Sequence, residues 1–72
     1  MSQITREQYR ELLYAEMCDK DELHRLLKER AGIKAEPYTA YLYYDAAGNY
    51  LGDSNDTDVE SLLWGAGVEI KR

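Results

Sequence analysis

The chain predicts an α+β fold of order ααββαβ, and three observations carry that reading. Two successive helix-start signals each precede apolar residues at helical spacing, and after Pro37 the apolar period shortens to two. The last third then holds one more short helical stripe before a final alternating run. Together they give a helical hairpin and a three-stranded antiparallel or mixed sheet of order 2-1-3, with a short third helix.

The first helix starts at Thr5, an N-cap with Gln8 three residues on as its capping-box partner and Ile4 placed to staple onto Tyr9. Tyr9, Leu12, Leu13 and Met17 form its apolar stripe, which places the helix over about 6–17. The second starts at Asp19, with Glu22 in the reciprocal position and Cys18 placed to staple onto Leu23. Its stripe is Leu23, Leu26 and Leu27. Gly32 can take the left-handed conformation that ends a helix, with Ile33 folding back toward Leu27.

After Pro37, Tyr38, Ala40, Leu42 and Tyr44 alternate with Thr39, Tyr41 and Tyr43 in a run rich in strand-favouring aromatics. Asp45 to Asn49 carries hairpin-turn residues, with Gly48 at the positive-φ position, and Tyr50-Leu51 is the returning strand. Val59, Leu62, Leu63 and Ala66 mark a third helix, opened by a Thr57/Glu60 capping box and ended by Gly65 and Gly67. Val68-Glu69-Ile70 alternates as a last strand. A right-handed crossover through the third helix lays that strand beside the first.

Seventy-two residues allow one domain, 1–72, with a thin core, since a chain of this size buries roughly 60% of its unfolded surface. A 44% apolar content fits a folded chain and not a disordered acidic tail. No apolar run approaches a membrane span and no signal-peptide core follows the N-terminus. With a single cysteine, Cys18, a cytoplasmic, reducing compartment is expected.

The net charge is -5, and it is unevenly placed. Residues 1–34 hold seven bases and seven acids, whereas from Ala35 to Ile70 there is no Lys or Arg among seven acids. Such a one-sign field repels nucleic acid and anionic lipid and attracts basic surfaces. Acidity alone also keeps a small protein soluble.

Groups that could carry chemistry are few. His24, the only histidine, has no nucleophile or ligand partner in sequence. Cys18 precedes a helix N-terminus, which favours a thiolate, but Asp19, Asp21 and Glu22 oppose it. Asp53, Asn55 and Thr57 have the spacing of alternate calcium ligands, yet Asp58 and Trp64 stand where an EF-hand loop needs Gly and Glu. The glycines make no phosphate-binding fingerprint. No catalytic residue, cofactor or metal is therefore expected.

Seven tyrosines and no phenylalanine are the most unusual feature of the composition. If Ala40 and Leu42 face the helices, pleating turns Tyr41 and Tyr43 outward with Tyr50. That predicts a tyrosine platform beside an acidic rim of Asp45, Asp53, Asp56, Asp58 and Glu60. Cross-strand tyrosine pairs that only stabilise the sheet would explain the same residues. Base stacking on such a platform needs neighbouring cations, which this half lacks, so direct nucleic-acid binding is not expected. The expected partner is a protein with a basic surface.

Small size, acidity and the lack of a catalytic constellation resemble phage-encoded host-takeover and anti-CRISPR proteins as a class. The resemblance implies a non-enzymatic inhibitor that mimics nucleic acid, its carboxylates standing where phosphates would sit. Two helices and a β-hairpin also resemble the helix-turn-helix and wing of a DNA-binding regulator, with Arg25, Lys28, Arg30 and Lys34 toward phosphates. A third reading is an oligomeric accessory subunit joined through Tyr9, Leu13, Tyr14 and Met17.

Overall fold

A computed structural model describes residues 2–71. Three extended residues, β1 (Ser2–Ile4), lead into α1 (Arg6–Cys18) at Thr5, whose hydroxyl accepts the Gln8 N–H at 3.0 Å while the Gln8 side chain accepts the Thr5 N–H at 2.9 Å. Both halves of the predicted capping box are present. Asp19 ends α1 and caps α2 (Lys20–Ala31), accepting the N–H groups of Asp21 and Glu22. Sharing one residue between two helix ends makes the corner tight. Gly32 at φ 68 closes α2, and the Ile33 N–H reaches the Leu27 carbonyl at 3.2 Å, the predicted fold-back.

The chain then forms β2 (Lys34–Pro37), β3 (Tyr41–Tyr44) and β4 (Tyr50–Asp53), an antiparallel sheet with β3 in the centre. The β3–β4 turn uses Gly48 at φ 90 as predicted. After it come α3 (Val59–Gly65) and β5 (Val68–Ile70). The α+β class, the helical hairpin, the three-stranded antiparallel sheet and the short third helix agree with the sequence reading.

The third strand of the sheet differs. Val68–Ile70 was expected beside the first tyrosine strand; that place belongs to β2, and β5 instead pairs in parallel with β1 as a separate two-stranded sheet. Lys, Ala, Glu and Pro are weak strand formers, which hides β2, and Pro37 is tolerated because β2 lies on an edge. β1 spans only three residues, and Ile4 serves as a core strand residue at 3% exposure.

Smaller differences follow from local chemistry. Asp58, not Thr57, caps α3, accepting the Ser61 N–H at 2.8 Å. Cys18 is exposed and makes no buried staple. Met17 is 84% exposed, and the small Ala15 takes its place on the core face of α1. One core joins Ile4, Leu12, Ala15, the three leucines of α2, Ile33, Tyr43, Val59, Leu62, Leu63 and Val68. No helix is long and apolar enough to cross a membrane among the described residues.

Candidate protein-interaction surface

The tyrosines divide between the two faces of the sheet, and not as the sequence suggested. Tyr43 lies opposite Ala35 and Gly52 on the face turned to the helices and is 2% exposed. Its hydroxyl meets His24 Nε2 at 3.0 Å, and the His24 ring stands edge-on to Tyr41 at a centroid distance of 4.4 Å. Burial, then Glu16 and Tyr41, push the Tyr43 phenol up to about 12, so it stays protonated at neutral pH. Tyr43 is a core residue and Tyr41 is half-buried beside it, which corrects their expected exposure. Leu42 has the opposite pleat to the one predicted: a tyrosine fills more core volume than a leucine here, and His24 supplies the partner its hydroxyl needs.

The outer face carries Leu42 and Tyr44, with Lys34, Glu36, Tyr50 and Asp53 directly across from them. A bulge in β4 inserts Leu51, which turns inward, so Tyr50 shares the face of Tyr44 and their rings lie 5.7 Å apart. Tyr50 is 57% exposed, as predicted for it. Partial desolvation, then Asp53, Tyr44 and Asp56, raise its phenol, which places it within the field of the acidic loop.

The acids of that loop do two kinds of work. Asp45 accepts the N–H groups of Ala47 and Asn49 and the Asn49 amide, hydrogen bonds that hold its carboxyl below the usual range, with Asn49 the strongest cause. Asp53 accepts the Asn55 and Asp56 N–H groups, and Asp58 is held low by the Ser61 backbone and side chain. These three shape the turns. The Asp56 and Glu60 side chains are exposed and make no hydrogen bond or ion pair among the described residues.

No family model, curated protein or solved structure matches the chain.

The one large aromatic that the sequence reading passed over is Trp64, 79% exposed on α3. It stands outside the Val59, Leu62, Leu63 stripe, and that off-stripe position was the available signal. With Arg6, Tyr9 and Glu60 it walls an open groove of about 600 Å³ whose other side is the run Gly67–Lys71. Burial, then Glu60, Asp58 and Glu16, raise the Tyr9 phenol.

Two of the four cations of α2 are already engaged. Arg25 is held by Glu22 and Glu29, and Arg30 by Glu11 and the Gln8 carbonyl. Tyr14 and Met17 are exposed on α1, whereas Tyr9 and Leu13 pack against the core. No group of three or more His, Cys, Asp or Glu side chains could hold a metal ion among the described residues.

Proposed function

We propose that the protein is a non-enzymatic interaction module that docks onto a basic surface of a protein partner. The observation that carries this is the exposure of Tyr50 and Trp64 in a stretch with seven acids and no Lys or Arg. Rigid aromatics that bury large area at little entropic cost are the usual anchors of interfaces, and a one-sign field steers the encounter. Tyr50, Asp53, Asp56, Glu60 and Trp64 form the docking residues; Asp45 and Asp58 add charge while holding turns, and Tyr41 and Tyr43 support from within. Where the partner's basic surface normally holds nucleic acid, the module acts as an inhibitor and nucleic-acid mimic. A cytoplasmic setting suits the exposed, unbridged Cys18.

The test is affinity capture from host lysate at low and then high salt, with mass spectrometry of what is retained. A basic, nucleic-acid-handling protein released by salt is the expected result. Asp56→Lys with Glu60→Lys, which spares the turn-holding carboxylates, should slow association and flatten its salt dependence. Capture of the chain by itself alone, or of nucleic acid, would end this reading.

A further inference from the structure

The charges on the outer face of the β2–β3–β4 sheet form a pattern that fits its own copy. The strand register lays six side chains there in two rows: Lys34, Tyr44 and Tyr50 in one, Glu36, Leu42 and Asp53 in the next. Lys34, Glu36 and Tyr50 are exposed, and Leu42, Tyr44 and Asp53 are half-buried, so none of the six is closed off. Leu42 and Tyr44, on the central strand, make the middle of the face apolar. The charges around it are uncommitted: Lys34, Glu36 and Asp53 enter no ion pair among the described residues, and Asp53 holds its turn through Oδ1 alone.

Two sheets pack face to face with their strands nearly aligned, and copies related by a two-fold axis present the same residues to each other. The charges select the axis. One running along the central strand sets Glu36 over Asp53 of the second copy, and one lying on either row sets the charges of that row over their own twins. Both bring like charges together, which is costly in an interface. An axis across the strands, midway between the rows, exchanges them: Lys34 meets Glu36, Tyr44 meets Leu42, and the Tyr50 hydroxyl meets Asp53 Oδ2. A uniformly basic surface would set a cation on Lys34, whereas the second copy sets a carboxylate there.

We propose that two copies of the chain pair face to face through this sheet, with Lys34 of each against Glu36 of the other. Burial of Leu42, Tyr44 and Tyr50 supplies the affinity, and the charges at the rim fix the register. Six residues a side are far fewer than the roughly 20–30 of a stable complex, which makes the dimer a weak one, with a Kd of about 100 μM. The inference goes beyond the docking reading: the second copy covers Tyr50 and Asp53, so dimer and docked partner exclude each other and dilution frees the docking residues.

The test is sedimentation equilibrium of the purified chain from about 10 μM to about 1 mM in about 0.15 M salt, where a Debye length of about 8 Å mutes the repulsion between two chains of net charge -5. The mass should rise from monomer toward dimer over that range, with the Leu42 and Tyr44 amide signals shifting in step. Lys34→Glu and Glu36→Lys, both at exposed positions, should each weaken the dimer about tenfold, the second although it lowers the net repulsion between copies. The double exchange puts opposite charges back across the axis and should restore the dimer. A monomer at every concentration, a dimer indifferent to both single variants, or failure of the double exchange to restore it would overturn the proposal. Capture of a basic protein from lysate by a chain that stays monomeric when purified would overturn it and leave docking in place; a dimer with the charge-exchange behaviour and no basic partner in lysate would support it and end the docking reading.

Discussion

The two faces of the β2–β3–β4 sheet are made from the same residue type and do opposite work. On the inner face Tyr43 is sealed under α2, its hydroxyl against His24 and its ring beside Tyr41. On the outer face the half-buried Tyr44 and the exposed Tyr50 set their rings 5.7 Å apart at a tilt of 59°, and Tyr50 lies in the field of Asp53 and Asp56. The difference is where the hydroxyl finds its partner. A phenol can enter a core when another side chain meets it there; otherwise it stays where water can.

The largest expected effect tests that contrast directly. Tyr43→Ala removes a fully buried ring and should cost about 3–5 kcal/mol, enough to leave so small a domain largely unfolded at 37 °C. Tyr50→Ala should leave the urea midpoint unchanged while weakening partner binding. Denaturation curves of the two variants decide it: equal losses would mean that the outer face is as much a part of the fold as the inner.

The same contrast shows where the sequence was legible. Helix boundaries were, because capping is local: Thr5 with Gln8, Asp19, and Gly32 each act within a few residues. The β3–β4 hairpin was, because Asp45 and Gly48 build the turn by themselves. The pleat of Tyr41-Leu42-Tyr43-Tyr44 was not, since four apolar-bodied residues in a row fit either face. The deciding group, His24, lies 19 residues away on α2. Strand β2 carries residues that elsewhere avoid strands, and β1 finds β5 only across nearly the whole chain. Hence Tyr50 is exposed as expected, whereas Tyr41 and Tyr43 lie inward, and of the acids Asp56, Asp58 and Glu60 are exposed while Asp45 and Asp53 are half-buried. Trp64 was legible from its place off the α3 stripe, but the groove it makes with β5 emerged only with the fold.

A smaller effect isolates the hydroxyl. Tyr43→Phe keeps the ring in place and removes only the contact to His24 Nε2, leaving a half-buried imidazole nitrogen without that partner. The expected loss is about 1 kcal/mol, against the several of Tyr43→Ala. A loss as large as that of the alanine variant would mean that the hydrogen bond, not the ring, anchors β3 to α2.

The smallest effect is a pH dependence. Burial, and then the Lys20 charge, push the His24 imidazole below its ordinary 6.5, with Asp21 pulling it back. Facing it from the sheet are the rings of Tyr41 and Tyr43. Either tautomer can meet Tyr43, since Nε2 accepts when bare and donates when protonated. The folded chain therefore binds this proton less readily than the unfolded chain. Its contribution is fully present above about pH 6.5 and is lost as the pH falls through the lower folded value. The urea midpoint should accordingly decline from pH 7 to pH 5 in the wild type. His24→Gln, which keeps a polar partner for Tyr43 without a titrating group, should flatten that window. Asp45 and Asp58, also held below their usual range, act only in stronger acid, as the pH falls below about 3.8. If the slope between pH 7 and pH 5 persists in His24→Gln, other groups set it, and the inner face owes its stability to the packing of Tyr43 alone.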